Sequence, residues 1–298
     1  MKSGHGNCYF CGAEGYLFSG YVQSGREISA DIVIGPQHQG WPDIPHGGVG
    51  MTAVLELSHL LDAGSLDFPF IATYRFGGDR LFINNGVRMT VSADDGLMKG
   101  SIMKKGGVQP YMTCVIEKGL PSDAGERAES VWELARRPVI NRSAFIMPNF
   151  SNRLIYGAHH HWANRRREFC YQEADTGIMY MSCVIPGTEE SASEAGVNCL
   201  TPGSVHPGVI ATVLDETLAW SGFFASWQGG VTTDLTISFL KPMNPEGRFF
   251  TIGRCDAIYG AFSRKLVSCS GGVFMKSNGI SGLVATAAGR WLTRPEYK

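Results

Sequence analysis

Two short segments of the sequence each place a histidine and a glycine directly before an apolar helix. The first is a His-Gly-Gly motif at residues 46–48, and the second is a His-Pro-Gly motif at residues 206–208, 160 positions later. A helix start presents unpaired N–H groups and a positive dipole end, and glycine lets a ligand oxygen approach that backbone closely. The pattern therefore indicates an oxyanion-binding site. The alternative is that the glycines only permit a tight turn, and that His46 and His206 fix this turn rather than act as general bases.

Each predicted helix also carries acidic side chains among apolar neighbours. Glu56 lies in the first helix, and Asp215 and Glu216 lie in the second. A carboxylate in such surroundings loses hydration, which costs several kcal/mol unless the group is paired or used. Burial of Asp215 beside a cleft would therefore favour a functional acid. The alternative is that the helix turns Asp215 and Glu216 outward into water.

The elements that must position these motifs recur in the two halves of the sequence. Each half is predicted to hold a first strand, a loop with the motif, one long helix and a run of antiparallel strands. The first strands are expected at residues 16–22 and 179–185, which align with each other. Residues 233–240 alternate between apolar and polar, as in a half-buried strand. The other strand candidates lie at residues 70–76, 87–93, 97–103, 111–117, 249–256, 264–269 and 283–291.

This order of elements predicts an α+β fold with helices on one face of a continuous sheet, and not a doubly wound fold. We assign residues 1–122 to the first repeat, residues 123–168 to a partly helical connector and residues 169–298 to the second repeat. Loops beyond about 15 residues usually serve a purpose. The length of the connector therefore indicates that the second repeat crosses the first in order to dock beside it.

Composition limits the classes of partner. The chain has 298 residues, 44% of them hydrophobic, and a net charge of -1 from 26 basic and 27 acidic residues. This balance provides no attraction to nucleic acid or to an anionic membrane surface. No apolar run approaches the roughly 20 residues that span a bilayer, and the first residues do not resemble a signal peptide. We therefore expect an unprocessed cytoplasmic protein whose partners are small molecules or proteins.

The eight cysteines are scattered from Cys8 to Cys269, which favours free thiols in a reducing compartment over a disulfide scaffold. Only the Cys-x-x-Cys pair of Cys8 and Cys11 has a regular spacing. With His5 it offers three of the four ligands that a structural zinc site requires, and no second pair completes the set. We therefore predict buried structural thiols there, and neither a metal nor a cofactor for the protein.

Four segments of the sequence resemble the hotdog-fold acyl-CoA thioesterases of the PaaI type. They are Cys-x-x-Cys-Gly at residues 8–12, His-Gln-Gly-Trp-Pro at 38–42, His-Gly-Gly-Val at 46–49, and the stretch at 206–216 that ends in Asp-Glu. The resemblance covers both halves but not the connector, and the helix motifs are more specific than the cysteine motif. It implies a long helix wrapped by an antiparallel sheet. Two such units would make a double hotdog, which stands in for the family's usual dimer and takes an acyl-CoA or related acyl thioester as substrate.

The resemblance also implies roles for individual residues. Asp215, nine positions after the motif histidine, would act as nucleophile or as general base on water. The N–H of Gly47, which follows His46, would bind the thioester carbonyl oxygen, and these two groups come from opposite partners of the family's dimer. Gln39 and Thr232 match an assisting amide and an assisting hydroxyl. The remaining motif residues are assigned to substrate binding: Gly48, Glu216, His206 and Gly208.

The two copies of the motif are not equivalent. Pairing Gly47 with Asp215 gives a complete site, whereas the reciprocal pairing joins Leu55 to Pro207. Leu55 has no titratable group, and Pro207 has no N–H to donate. We therefore predict one working site and one degenerate site per chain. Glu56 lies one position further along the helix than the required acid, which rotates it by about 100°.

Other motifs give weaker predictions. A Gly-x-Gly-x-x-Ala pattern at residues 48–53 follows Pro-Asp-Ile-Pro, where a dinucleotide site needs an apolar strand. No Gly-x-Ser-x-Gly elbow of a serine hydrolase occurs in the sequence. We interpret the three histidines at 159–161 and the three arginines at 165–167 as solvated parts of the connector. Contact between these arginines and the phosphates of coenzyme A is the alternative.

The leading hypothesis is therefore a thioesterase that hydrolyses an acyl-CoA to the free acid and the thiol. The alternative is a non-catalytic acyl-thioester-binding protein that acts as a sensor or scaffold. A hotdog hydratase is disfavoured because no acidic residue has the spacing needed to partner the motif histidine. The sheet edges that a double hotdog leaves also predict a homo-oligomer of the pseudo-dimer.

Overall fold

The computed structural model describes residues 20–136, 143–145, 168–173, 179–184, 199–201, 204–244, 248–260, 264–277 and 280–294. The α-helices of these residues are α1 (Gly47–Leu61), α2 (Ala124–Arg136) and α3 (Pro207–Ser226). Short 3-10 helices lie at Pro36–His38 and Ala63–Leu66. None of the described helices is long and apolar enough to cross a membrane.

The strands fall into two sets along the chain. Those of the first half are β1 (Tyr21–Ser24), β2 (Glu27–Val33), β3 (Gln39–Trp41), β4 (Ile44–Pro45), β5 (Phe70–Phe76), β6 (Gly86–Asp94), β7 (Leu97–Lys104) and β8 (Met112–Lys118). Those of the second half are β9 (Ser143–Phe145), β10 (Glu168–Glu173), β11 (Met179–Val184), β12 (Cys199–Thr201), β13 (Ser204–Val205), β14 (Gly230–Phe239), β15 (Arg248–Tyr259), β16 (Leu266–Ser277) and β17 (Ile280–Thr293).

Most of these strands form one sheet in the order β1-β2-β6-β7-β8-β5-β14-β17-β16-β15-β11-β10-β9. The order is the same when it is followed outward from the contact between β5 and β14. On one side lie β5, β8, β7, β6, β2 and β1, and on the other lie β14, β17, β16, β15, β11 and β10. The small pairs β3–β4 and β12–β13 come just before α1 and α3. The two halves therefore hold corresponding elements at corresponding places.

Strands β5 and β14 join the halves through continuous main-chain pairing. Thr73 lies opposite Thr236 near the middle of this contact, and the two hydroxyl oxygens are 3.4 Å apart. Phe70 stacks on Phe239 with ring centroids 4.4 Å apart, an arrangement that stabilises beyond simple burial. Because the sheet is continuous here, side chains from both halves can share one site.

Helices α1 and α3 pack against each other and against the same face of the sheet. Both are apolar around nearly their whole circumference, as expected for helices enclosed on all sides. They approach most closely where Gly48 meets Thr212 and where Gly208 meets Thr52. A side chain on either glycine would overlap the threonine that faces it. Glycine is therefore required at both positions for the helices to lie this close.

Helix α2 lies on the opposite face of the sheet. Two neighbouring residues of β16 demonstrate this, since Gly271 faces Leu218 of α3 whereas Gly272 faces Val131 of α2. The Trp132 ring of α2 packs edge-on against Phe274, with centroids 4.7 Å apart. The helix belongs to the stretch that the sequence assigns to the connector, and it covers part of the second half of the sheet.

Strands β5 to β8 and β14 to β17 overlap the strands predicted from the sequence. Of the strand predicted at residues 16–22, residues 16–19 lie outside the described part of the chain. The alignment of that strand with residues 179–185 is wrong by one strand. The second half places β11 where the first half places β2, not β1. β2 turns Ile28, Ala30 and Ile32 inward. A two-residue turn that contains Gly25, at φ +58°, is enough to fit this extra strand into a stretch predicted to be a loop.

Candidate active site

A cavity of about 350 Å³ lies beside the start of α1 and the middle of α3. Both halves of the chain line it, through residues 40–41, 44–47, 76–82 and 111 of the first half and 215–216, 219–220, 223, 229–233, 291–292 and 294 of the second. Aromatic side chains make up much of the wall. A mostly apolar wall with few polar groups suits a ligand with an apolar body and one polar reacting group.

Asp215 is one of two buried acids in the wall of this cavity, with an exposure of 4%, as for Glu216. Thr232 donates its hydroxyl to Oδ1 over 2.7 Å. The other oxygen, Oδ2, lies 3.6 Å from Nδ1 of His46 and 3.0 Å from the place that a Cβ on Gly47 would take. Burial raises the pKa of Asp215, while His46 and the Thr232 hydroxyl oppose that rise. The side chain is thus a carboxylate held in one orientation, with a greater tendency to take a proton than an exposed aspartate.

His46 caps α1 and is held at both ring nitrogens. Its Nδ1 accepts the N–H of Gly48 over 2.9 Å, so Nε2 carries the proton and donates to Oε2 of Glu216 over 2.8 Å. The indole N–H of Trp220 donates to the other oxygen of Glu216, also over 2.8 Å. These bonds fix the turn that presents Gly47 to the cavity. The geometry matches the turn-fixing alternative for the histidine rather than the general base.

Gly47 is the first residue of α1, where a helix has N–H groups without partners inside the helix. Its N–H makes no hydrogen bond within the described part of the chain. A Cβ at this position would lie 3.0 Å from Asp215 Oδ2 and 3.3 Å from Phe76 Cζ. The helix start, the acid and the aromatic wall therefore meet at one point.

The corresponding site at the start of α3 has the same frame, by which we mean a histidine that caps the helix and contacts a glutamate of the opposite helix. Nδ1 of His206 accepts the N–H of Gly208 over 2.9 Å. Its Nε2 lies 3.1 Å from Oε2 of Glu56, which is an ion-pair distance although the angle is not that of a hydrogen bond. Glu56 thus corresponds to Glu216, while the fully buried Leu55 stands where the first site has Asp215.

The structure separates the predicted site residues into two groups. His46, Gly47, Asp215, Glu216 and Thr232 all lie in the cavity wall. The others do not: Gln39 lies in β3 next to wall residues, Gly48 packs against Thr212, and His206 and Gly208 belong to the corresponding site.

The aromatic residues of the wall that were not predicted include Tyr111, Trp220 and Trp291. Trp220 stands one helical turn after Glu216, a spacing that does indicate contact on a helix surface. Trp291 is the cross-strand neighbour of Thr232, and such pairing depends on strand register. Burial raises the pKa of Tyr111, and the nearby charge of Asp215 raises it further, so the hydroxyl keeps its proton.

The motif histidine does have acidic neighbours, contrary to the prediction. Asp215 and Glu216 reach His46 from the other half of the chain, and no spacing rule within one helix predicts a contact of that kind. A hydratase is therefore not excluded for lack of an acidic partner.

Several predicted features lie outside the described residues: Cys8 with Cys11, the histidines at 159–161 and the arginines at 165–167. Among the described residues, no cluster of three histidine, cysteine or acidic side chains is arranged to hold a metal ion.

The sequence matches no protein-family model and no curated protein sequence. Solved structures do share its architecture. A protein of unknown function with a hotdog fold from Alicyclobacillus acidocaldarius is 10% identical, with a TM-score of 0.54 over 93% of this chain and 97% of that one. An acyl-CoA thioesterase II from Mycobacterium marinum is 12% identical, with a TM-score of 0.52 over 94% and 96%. The dehydratase domain of PpsC from Mycobacterium tuberculosis, in complex with C12:1-CoA, is 12% identical, with a TM-score of 0.50 over 93% and 98%.

These identities are low, so the likeness shows the fold and not the activity. The chain has the hotdog fold over most of its length, with a large antiparallel sheet and buried helices on one face. Proteins of this fold include both thioesterases and dehydratase domains.

Proposed function

We propose that this chain hydrolyses an acyl-CoA, or a related acyl thioester, to the free acid and the thiol. The observation that carries this proposal is the meeting of Asp215, from the second half, with the helix start at Gly47, from the first half, in one mostly apolar cavity. Hydrolysis of a thioester needs a base beside an N–H group that can bind the carbonyl oxygen. The thioesterase and the CoA-bound dehydratase domain among the structures of this fold support a CoA thioester as the substrate.

In the proposed reaction the thioester carbonyl oxygen accepts the N–H of Gly47, and the acyl chain lies along the aromatic wall. The Asp215 carboxylate takes a proton from water while the water oxygen bonds to the carbonyl carbon. The C–S bond then breaks, and the leaving thiolate takes the proton, so that Asp215 returns to its ionised form. Direct attack by Asp215, followed by hydrolysis of the resulting anhydride, is a second route with the same products.

A dehydratase is the rival that the same fold accommodates. In a dehydratase that used the motif histidine, the base would be His46, whose Nδ1 lies 3.6 Å from Asp215 Oδ2. Both ring nitrogens of His46 are already engaged, by the N–H of Gly48 and by Glu216. No lone pair of the ring is therefore free to take a proton from a substrate, which disfavours a dehydratase that uses His46 as its base.

We also propose that the chain is a double hotdog with an internal duplication and one working site. The repeated strand order and the two reciprocal His–Glu contacts support the duplication. Residues 1–122 and 169–298 would be the repeats, with 123–168 as the connector. Leu55 and Pro207 leave the second site without the acid and without the N–H. The scattered cysteines favour a cytoplasmic protein, and the sheet edges favour assembly of several chains.

The test is free-thiol release from a panel of aliphatic and aromatic acyl-CoA thioesters. We expect Asp215→Asn to lower kcat/KM by about 10²- to 10⁴-fold, the usual contribution of a general base. The matched control is Asp234→Asn. Asp234 lies on β14 and pairs with Arg290 of β17, and neither residue belongs to the cavity wall. Equal rates for wild type and Asp215→Asn would overturn the proposal. Tight binding of acyl-CoA without turnover would favour a binding protein, and formation of an enoyl product from a 3-hydroxyacyl-CoA would favour the dehydratase.

A further inference from the structure

Trp291 has a buried polar group for which the proposed mechanism gives no role. It lies on β17 directly opposite Thr232 of β14, the residue that donates to Asp215. Side chains at paired positions of antiparallel strands stand on the same face, roughly 5 Å apart at Cβ. Trp291 is only 3% exposed and is part of the cavity wall. The pairing therefore places the indole beside the carboxylate of Asp215.

The indole nitrogen of Trp291 is buried without a hydrogen-bond partner. The two other tryptophans of the wall differ in this respect. Trp41 donates to the carbonyl oxygen of Gly230 over 3.0 Å, and Trp220 donates to Glu216 over 2.8 Å. A buried N–H without a partner costs about 1–3 kcal/mol. A hydrogen-bond acceptor that approaches the indole N–H during the reaction would remove this cost.

The acceptor within reach is the Asp215 carboxylate. Thr232 already donates to Oδ1 over 2.7 Å. The indole N–H of Trp291 is near enough to lower the pKa of Asp215, which burial raises, although it does not have the geometry of a hydrogen bond to the carboxylate. An ionised carboxylate accepts several hydrogen bonds, each stronger than one between neutral groups. Because the indole nitrogen is closed off from the cavity, it is placed to hold the acid and not to touch the substrate.

We propose that Trp291 is a positioning residue whose indole N–H becomes the second donor to Asp215 in the reacting enzyme. Together with Thr232 it would hold one face of the carboxylate, so that Oδ2 remains directed at Gly47 and the substrate carbonyl. This role rests on the proposed hydrolysis for its effect on rate. The placement of Trp291 beside Asp215 does not rest on it.

The test replaces only the N–H. Incorporation of β-(3-benzothienyl)alanine at position 291 puts a sulfur in place of the N–H and keeps the shape of the ring, and Trp291→Phe is the second variant. We expect kcat/KM to fall about tenfold in both, as for loss of one hydrogen bond to a charged group, with KM changed less than about twofold. The acid limb of the pH profile should move to higher pH, because the ionised form of Asp215 loses a donor. A residue that only packs would leave this limb unmoved.

A measurement that needs neither a variant nor turnover separates this proposal from the proposed function. In wild-type protein the indole ¹H–¹⁵N signal of Trp291 should shift with the same pKa as the ¹³C carboxyl signal of Asp215. If the chain hydrolyses no thioester but the two signals titrate together, the hydrolase proposal fails and the Trp291 contact stands. Independent titration, or wild-type kcat/KM with an unmoved acid limb in the benzothienyl variant, would overturn the role of Trp291.

Discussion

The N-terminal ends of α1 and α3 have the same frame of histidine and glutamate, but they differ in the groups that could react with a substrate. In each, a histidine accepts the N–H of the glycine two positions on, at 2.9 Å. The same ring then contacts a glutamate of the opposite helix, at 2.8 Å for His46 and 3.1 Å for His206. Both helices need these caps to pack closely in the core. The shared features are therefore explained by folding alone.

The two ends differ at the residues that hydrolysis would use. Asp215 and Gly47 at one end correspond to Leu55 and Pro207 at the other. The comparison separates residues that hold the fold from residues that are explained only by a reaction.

After loss of Asp215, the largest effect should come from replacing Gly47 by the proline that the second site has at the corresponding position. Gly47→Pro removes the N–H proposed to bind the carbonyl oxygen, and proline is tolerated at the first position of a helix. We expect kcat/KM to fall by about 10²- to 10³-fold, as when one oxyanion donor is lost. Gly47→Ala is the control, because it adds a Cβ at the same place, 3.0 Å from Asp215 Oδ2, and keeps the N–H. Equal losses in the two variants would mean that crowding, and not the N–H, is responsible.

A smaller effect is expected from loss of the Thr232 hydroxyl, which donates to Asp215. Thr232→Val should lower kcat/KM about tenfold, the scale of one hydrogen bond to a carboxylate. The Thr232 hydroxyl lowers the pKa of Asp215, so its loss lets that pKa rise further. Activity falls as Asp215 takes up its proton, and the acid limb of kcat/KM against pH should therefore move upward. Thr236→Val, on the same strand but facing Thr73, should leave the limb in place.

The two buried glutamates give a matched pair that tests the shared frame. A glutamine has a single acceptor oxygen, so Glu216→Gln keeps only one of the bonds from His46 and Trp220. Glu216→Gln and Glu56→Gln should each lower the free energy of unfolding by about 1–3 kcal/mol in chemical denaturation. Only Glu216→Gln should lower kcat/KM, by about fivefold, because the turn that presents Gly47 loosens. An equal loss of activity in Glu56→Gln would identify a second working site.

Much of the fold follows from local sequence patterns. The alternation in β14 and the apolar circumference of α3 are readable because they depend on neighbours a few residues apart. β2 could also have been predicted, because residues 27–33 alternate between polar and apolar after a Ser-Gly turn dipeptide. Strand order is a matter of long-range packing, and the pairing of β5 with β14 has no signature within either strand.

The candidate site divides in the same way. Asp215 and Gly47 stand out because the motif is repeated with changes at those positions. The contact of Glu216 with His46 joins residues 170 positions apart, and the place of Trp291 depends on the register of β17 against β14. Neither kind of relation is encoded in spacing along the chain.

The smallest expected effect concerns stability at the place where the two ends differ most. The folded protein raises the pKa of Asp215 by burial, so the folded carboxyl keeps its proton to a higher pH than the unfolded one. The contribution of Asp215 to the free energy of unfolding is therefore fully present when the pH is below the ordinary pKa of aspartate. It is lost as the pH rises through the raised pKa of the folded state. Asp215→Asn should increase the free energy of unfolding by about 1 kcal/mol above that range, and the gain should vanish at low pH. Urea unfolding across pH measures this, with Asp234→Asn as the control. If Asp215→Asn instead proved less stable at every pH, Asp215 would belong with the histidines and glutamates as part of the frame.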